Sequence, residues 1–552
     1  MSPLPRQPEV NIGMIGHVDH GKCLHPSERV LTSLGLLGME ELLEEPGREL
    51  GPVWDGLLFD PGIMVRGVGP GGPSWRRALL YVEEFSGPMV SLRIGGRTHV
   101  TTPQHRFWGP GGWVRALDLA VGDRVLAEGG WLPVEGKEIL DYEGPIVDLT
   151  VPETANFLLG EEGLLVHNTT LTKAITGVWT DKHSEEIMRG ITIKLGYADA
   201  AIYRCPELPD PEAYTTDPSA CPGAELKRVI SIVDAPGHET LMGTMLSGAA
   251  IMDGAILVIA ANEPCPRPQT REHLTAVQII GVRDIVVAQN KVDVVDDRRA
   301  YENYEEIRRF LAETPYADAP IIPISAQHNA NIDVLLKAVV EHIRVPERDL
   351  ASPPLMYIVR SFDVNKPGTR PRDLVGGVVG GSILRGKLRV GDEIEIRPGL
   401  EHGPGKPWEP IRTVITSLVS GGAMREEVGP GGLVGIGTKL DPSYTKADGL
   451  IGRVLGHPGE MPDILLQLEV EYHLLDRVVG LEADVKVEPL RVGEIVTLNV
   501  GSATTIGMIT RIRESIAEVK LKIPVAAEPG QRVAISRRIM RRWRLIGYGF
   551  LV

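Results

Sequence analysis

Gly16-His17-Val18-Asp19-His20-Gly21-Lys22 has the spacing of a loop that wraps phosphate oxygens. Successive backbone N–H groups and the start of a following helix cradle such oxygens, the two glycines permit the tight backbone, and the lysine reaches the β- and γ-phosphates. The pattern requires a Ser or Thr directly after the lysine, whose hydroxyl binds Mg²⁺. Cys23 stands there instead. The missing hydroxyls come in Thr169-Thr170-Leu171-Thr172, and joining Lys22 to Thr169 yields GHVDHGKTTLTKAITG, a whole phosphate loop running into a helix. The residues from Cys23 to Asn168 therefore read as an insertion.

Further groups suited to nucleotide chemistry follow in order. The charged stretch Asp181 to Ile193 ends in Arg189-Gly190-Ile191-Thr192-Ile193 and suits a switch segment that meets Mg²⁺ and the terminal phosphate through Gly190 and Thr192. In Asp234-Ala235-Pro236-Gly237-His238, Asp234 can hold Mg²⁺ through water, Gly237 can donate its N–H to the γ-phosphate, and His238 can orient an attacking water. In Asn290-Lys291-Val292-Asp293, the Asp293 carboxylate accepts from guanine N1–H and N2–H₂, donors that adenine lacks. Ser325-Ala326-Gln327 offers a backbone N–H for guanine O6. The nucleotide set is thus Asp19, His20, Gly21, Lys22, Thr169, Thr170, Gly237, Asn290, Lys291, Asp293, Ser325, Ala326 and Gln327. The Mg²⁺ set is Asp19, Thr169, Gly190, Thr192 and Asp234.

The edges of the insertion carry a different chemistry. Cys23 is a nucleophile beside the Lys22 carbonyl, Asn168 can cyclise onto its own carbonyl and cut the chain after itself, and Thr169 is a second nucleophile. Thr102-Pro103-Gln104-His105 adds a hydroxyl and an imidazole, able to polarise a scissile amide and protonate its leaving nitrogen.

The elements that position these groups are legible as patterns. Val10 to Ile15, Arg228 to Val233, Ala255 to Ile259, Ile285 to Gln289 and Ile321 to Ile324 read as buried strands, each delivering a motif at its C-terminal end. Ile332, Leu335, Leu336, Val339, Val340 and Ile343 mark one face of a helix. This is the pattern of a doubly wound α/β nucleotide domain. Cys23 to Asn168 is Gly-rich and strand-like, an expected all-β domain. Past the Pro-rich linker 345–354 the chain reads as two β-barrel modules with a boundary near His457-Pro458-Gly459. The expected domains are 1–22 plus 169–348, 23–168, 353–458 and 459–552.

Composition limits the class. Apolar residues make up 43% of the 552 and charged residues 24%, an ordinary globular balance. Neither a signal peptide nor an apolar run of membrane-spanning length is visible, and four cysteines give no disulfide framework, so a cytoplasmic protein is expected. The net charge of −15 argues against uniform coating of nucleic acid, but Arg537-Arg538-Ile539-Met540-Arg541-Arg542-Trp543-Arg544 is a local basic run.

Taken together, the insertion resembles an intein. The Cys23-Leu24 start, the T-x-x-H element, Val147-Asp148-Leu149-Thr150-Val151 and the end Gly163 to Asn168 before Thr169 carry the likeness. It implies a mini-intein with the horseshoe-shaped (Hint-type) β fold. Cys23 would form a thioester at Lys22 with help from Thr102 and His105, Thr169 would take over the acyl group, and Asn168 would cyclise with help from His167, Asp148 being the acidic residue near the junction. Ala155 stands where many members have histidine, which leaves Asn cleavage to depend more on His167 and Asp148.

The host resembles the gamma-subunit family of archaeal translation initiation factor 2, on the motifs above, on Arg360 to Thr369, on the near-terminal R-R-W-R-L-I-G-Y-G and on a Cys-bearing insertion before the Arg228 strand. The resemblance implies GTP and Mg²⁺ as cofactors, GTP hydrolysis, and delivery of methionylated initiator tRNA to the small ribosomal subunit. It also implies alpha and beta subunits as partners, with no membrane contact. That family's insertion often holds zinc through two C-x-x-C knuckles. Here Cys205 and Cys221 keep one cysteine each, so zinc is not expected and the two are expected as loop thiols. The alternatives are an elongation factor of the Tu or selenocysteine-specific type, and an autoprocessing protein on a non-hydrolysing GTPase-like scaffold.

Overall fold

The computed structural model describes residues 4–16, 24–53, 56–69, 72–103, 105–110, 112–151, 156–160, 162, 164–167, 175, 196–234, 242–326, 328–365, 369–370, 372, 374–401, 407–479, 485–539 and 542–552. Among these, the chain divides into two compact units: 4–16, 175 and everything from 196 onward form one, and 24–167 form the other.

The first unit is built on a seven-stranded sheet whose spatial order is Tyr214–Thr215, Gly196–Arg204, Glu225–Asp234, Val10–Gly16, Gly254–Ala260, Asp284–Asn290, Ile321–Pro323. From Glu225–Asp234 onward the neighbours run parallel. Alternate residues of each strand feed two cores. Ile15, Val233, Leu257 and Val287 point to one face, Ile12, Ile232, Ile256 and Val286 to the other. A parallel sheet buried on both faces needs such near-continuous apolar strands. The helix Ile332–His342 lays Leu335, Leu336 and Val339 on the second face, as its periodicity predicts. The helix Pro268–Ile280 serves the first, starting on a proline and ending at Gly281, whose φ of 100° suits glycine. The strand Val10–Gly16 sits in the middle of the sheet although its partners come from residues beyond 224. The first residues of the chain are thus structurally inseparable from the α/β layer.

Beyond it come two β modules. In the first, Glu393–Glu401 pairs both Val454–Gly456 and Trp408–Ser420, so the strand order returns on itself. The second is a closed barrel of Ile464–Leu474, Ile516–Ala526, Ala503–Arg513, Ile495–Val500, Arg532–Ile539 and Arg542–Leu551. Closure leaves no open sheet edge. Among the described residues no helix is long and apolar enough to cross a membrane.

One expectation needs correction here. Cys205 and Cys221 are not separate thiols: they are joined as a disulfide, with Cα atoms 6.0 Å apart. Gly196–Arg204 and Glu225–Asp234 pair antiparallel with Arg204 opposite Glu225, so both ends of the intervening loop return to one place. In the basic run near the C-terminus, two of the arginines have partners within the fold. Arg537 forms an ion pair with Glu494 and donates to the carbonyls of Glu488 and Pro489, and Arg544 is buried against Glu272 at 3.2 Å.

The second unit is β-rich, with one short helix, Met39–Glu44, among its described residues. Its longest feature is the pairing of Leu79–Ile94 with Gly130–Thr150, from Leu79 opposite Thr150 to Ile94 opposite Val134. Val30, Val65, Leu92, Phe107, Val147 and Leu159 belong to one apolar core.

Candidate functional site

The α/β unit gathers its sequence motifs at the C-terminal ends of its parallel strands. Met14 lies opposite Asp234, Gly16 opposite Val258 and Ala260 opposite Asn290. At Gly16 a Cβ atom would fall 2.3 Å from the carbonyl oxygen of Val258, so only glycine lets the two strands approach there. Its N–H donates to Nδ1 of His273 at 3.1 Å, and His273 is 1% exposed on the helix Pro268–Ile280. Sequence reading did not single out His273; only the fold lays its helix beside the phosphate-loop strand.

The described residues expected to read guanine are brought together. Lys291 adopts φ 66°, in the left-handed region, and the short turn Val292–Val294 carries Asp293 back. Asn290 Oδ1 accepts the N–H of Ala326 at 3.1 Å, which ties the Ser325-Ala326 segment to the Asn290–Asp293 segment. Ser325 is buried, and its N–H and carbonyl pair with Ala330. Burial pulls the Lys291 ammonium down to about 8, with Asp293 pulling the other way. His328 Nε2 stands 3.7 Å from Asp293 Oδ2, a neighbour that no motif predicted. Asp19, His20, Gly21, Lys22, Thr169, Thr170, Gly190, Thr192, Gly237, His238 and Gln327 lie outside the described residues.

In the β unit the polar centre is assembled by backbone pairing. Leu24, directly after Cys23, donates its N–H to Val147 at 2.5 Å and accepts from Val147 N–H at 2.9 Å, and it also bridges Thr101. The next residues along those two strands are Asp148 and Thr102. His105 N–H donates to the Thr102 carbonyl at 3.0 Å, closing the T-x-x-H turn. Two residues on, Phe107 pairs with Val166, so the strand Leu164–His167 that leads to Asn168 runs beside that turn. Thr101, Thr102, His105, Arg106 and Asp148 are all buried, at 8% exposure or less. Burying polar groups in an apolar β domain is costly unless they are partnered, so their concentration between the two edges marks a site. Cys23, Asn168 and Ala155 lie outside the described residues.

Comparison with known proteins identifies the host. The model "Elongation factor Tu GTP binding domain" matches residues 160–345, "Elongation factor Tu domain 2" matches 376–446, and "Initiation factor eIF2 gamma, C terminal" matches 466–551. The translation initiation factor 2 subunit gamma of Archaeoglobus fulgidus is 57% identical over 397 residues, which cover 70% of this chain and 93% of that protein. That of Pyrococcus abyssi is 59% identical over 401 residues, covering 71% and 96%. The chain belongs to the gamma-subunit family of translation initiation factor 2. Its GTP-binding domain makes it a translation GTPase, and that family uses GTP and Mg²⁺. The chain is longer than these relatives, which fits an insertion. A bacterial selenocysteine-specific elongation factor shares the fold at 23% identity and a TM-score of 0.53, over 69% of this chain and 55% of that one. The elongation factor SelB of Methanococcus maripaludis, in complex with the GTP analogue GppNHp, does so at 20% and 0.50, over 69% and 75%. The far higher identity to gamma subunits sets the elongation-factor alternative aside.

Proposed function

We propose that this chain is the precursor of a gamma subunit that carries methionylated initiator tRNA to the small ribosomal subunit, together with alpha and beta subunits. We further propose that Cys23 to Asn168 is a mini-intein that removes itself. The proposed domains are 1–22 with 169–348 for GTP, 23–168 for splicing, and 353–458 and 459–552 as the β modules.

One observation carries the reading. The strand Val10–Gly16 is the centre of a sheet otherwise drawn from residues 196–323, while 24–167 form a unit of their own. A domain interrupted at its phosphate loop, with both loop halves intact in sequence, is what an excisable insertion requires. Two further facts support it: Leu24 is paired beside both Thr102 and Asp148, and the surplus length over the gamma subunits lies in this chain.

The nucleotide roles follow from chemistry. Asp293 and the Asn290–Ala326 link suit guanine; Lys22 and the N–H groups around it suit the phosphates; Asp19, Thr169, Gly190, Thr192 and Asp234 would hold Mg²⁺ directly or through water. Bound Mg²⁺ supplies charge neutralisation at the β- and γ-phosphates. His238 is the residue to orient the hydrolytic water, and Gly237 to donate to the γ-phosphate. In the insert, Thr102 and His105 polarise the Lys22 carbonyl and protonate the departing nitrogen, and His167 and Asp148 assist Asn168.

Intact-mass measurement after expression tests the reading. A spliced chain of 406 residues and a released piece of 146 are expected from the sequence. A single species of 552 residues, stable with time, would overturn it.

A further inference from the structure

The segment before the phosphate loop is held by parts of its unit that lie far away in sequence. Val10–Gly16 pairs in parallel with Glu225–Asp234 on one side and with Gly254–Ala260 on the other. Val10, Asn11, Ile12, Met14 and Ile15 are at most 6% exposed. Ile12 and Met14 belong to one core of the sheet and Ile15 to the other. A strand in that place finds main-chain partners along both edges and buries side chains on both faces.

The hold extends upstream, onto the first β module. Leu4 N–H donates to the Gly421 carbonyl at 2.8 Å, and Arg425 donates to the Leu4 carbonyl at 3.3 Å. Gln7 Nε2 donates to the carbonyls of Gly429 at 2.7 Å and Gly431 at 2.6 Å, while its Oε1 accepts the Gly429 N–H at 3.4 Å. Asn11 Nδ2 donates to Ser382 Oγ at 2.9 Å, and Arg348 donates to the Glu9 carbonyl at 3.1 Å. The module is also shaped to the segment: a Cβ at Gly432 would fall 2.5 Å from Pro8 Cβ. Pro5 and Pro8 fix their own φ angles, so the segment gives up less freedom on docking.

Both proposed splice edges are tied to this assembly. Lys22 follows Gly16 by six residues, and Thr169 precedes Ile175 by six. Ile175 is 1% exposed and lies in the same core as Val10, Ile12 and Met14. Six extended residues reach about 20 Å. Each edge is therefore tethered to one core of the host, independently of any bond through the insert.

We propose that the host keeps residues 1–22 bound by these non-covalent contacts after the chain is cut at Lys22, as a docked β-strand. The occupant of the groove is the chain's own segment 4–16, held by main-chain hydrogen bonds with alternate side chains in the two cores, as in strand addition. Retention keeps the Lys22 acyl group at a high local concentration beside Thr169, and a chain cut at Lys22 keeps its sheet. The cut itself rests on the splicing reading of the insert; the docking does not.

The test uses Asn168→Ala, which blocks release of the insert's C-terminal edge and leaves the Cys23 step. In that step Cys23 Sγ attacks the Lys22 carbonyl, the C–N bond breaks and the Cys23 nitrogen takes the proton. Added hydroxylamine then displaces the thiol and leaves Lys22 as its hydroxamate, without a thiol reagent that would reduce Cys205–Cys221. Gel filtration without denaturant, with mass spectrometry of the protein peak, should find residues 1–22 together with residues 23–552. Residues 1–22 eluting alone would overturn the proposal. With Gln7→Ala and Asn11→Ala together, exchange of the bound piece against a labelled synthetic peptide of residues 1–22 should be at least about tenfold faster, because each neutral hydrogen bond lost is worth several-fold. An unaltered exchange rate would refute the hold by the β module. If hydroxylamine cuts nothing, the splicing reading fails instead. Docking is then decided in the Cys23→Ala, Asn168→Ala chain with a protease recognition sequence inserted after Lys22, cut by that protease and passed through the same column: co-elution of the two pieces supports the proposal and separation refutes it.

Discussion

Asp234, Asn290 and Ala326 sit partly exposed at the ends of parallel strands, whereas Thr102, His105 and Asp148 of the insert are at 8% exposure or less. Both sets are polar and both are placed by strands. They differ in what they must admit. A nucleotide arrives from solvent and leaves again, so its site is a crevice outside the strand ends. In the proposed splicing the insert's substrate would be its own backbone, already delivered by the pairing of Leu24 with Val147 and Thr101. Nothing would then need to enter, and the proposed catalytic groups are walled off from water, which strengthens every electrostatic interaction there. Burial alone does not mark chemistry, however. Glu272 is as deeply buried as His105 and Arg544 is buried beside it, yet they join the helix Pro268–Ile280 to the closed barrel.

The comparison breaks most visibly at the insert's edges. Cys23→Ala with Asn168→Ala should leave only the 552-residue chain by mass, and any 406-residue product would remove the assigned nucleophiles from the reaction. Next, His105→Ala should slow thiol-induced cleavage after Lys22 by about 1,000-fold, the usual range for a lost general acid. A change under about threefold would make His105 a buried core histidine. At the open site the expected effects are smaller. Asp293→Asn should weaken GTP by roughly 100-fold and improve xanthosine triphosphate, because xanthine carries an oxygen where guanine has its N2 donor. Competition binding with both nucleotides reads this, and an unaltered preference would take guanine recognition away from Asp293.

The smallest effect sharpens the contrast between buried chemistry and buried structure. Burial raises the Glu272 carboxyl to about 7, while Arg544 opposes the rise. The folded state therefore holds this proton where the unfolded state has released it. Stability from this group is fully present below the unfolded value, near 4.5, and is lost as pH rises through about 7. The slope is about 1 kcal/mol per pH unit within that window. Urea unfolding at several pH values should show it in the wild-type chain and not in Glu272→Gln; equal slopes would refute the assignment.

Much of this was readable along the chain. The split phosphate loop, the order of nucleotide motifs and the T-x-x-H element are matters of spacing, and the buried strands and the amphipathic helix Ile332–His342 are matters of period. These properties survive without coordinates because they involve residues close in sequence. The basic run shows the limit. Arg537 and Arg544 look like free surface charge until the barrel sets one against Glu494 and the helix Pro268–Ile280 sets the other against Glu272.

By itself, then, the sequence set out the expectation of two chemistries in one chain, and the place where one would interrupt the other. In the proposed reading Thr169 is the residue at the seam, needed as a hydroxyl by both. Only the tertiary structure decided that Val10–Gly16 lies at the centre of the sheet, that Cys205 meets Cys221, that His273 takes the Gly16 N–H, and that Leu24 runs between Thr101 and Val147. The physical reason is the same in each case. Strand pairing and helix packing bring together residues far apart in sequence, and neither local period nor motif spacing carries information about which partner the fold will supply.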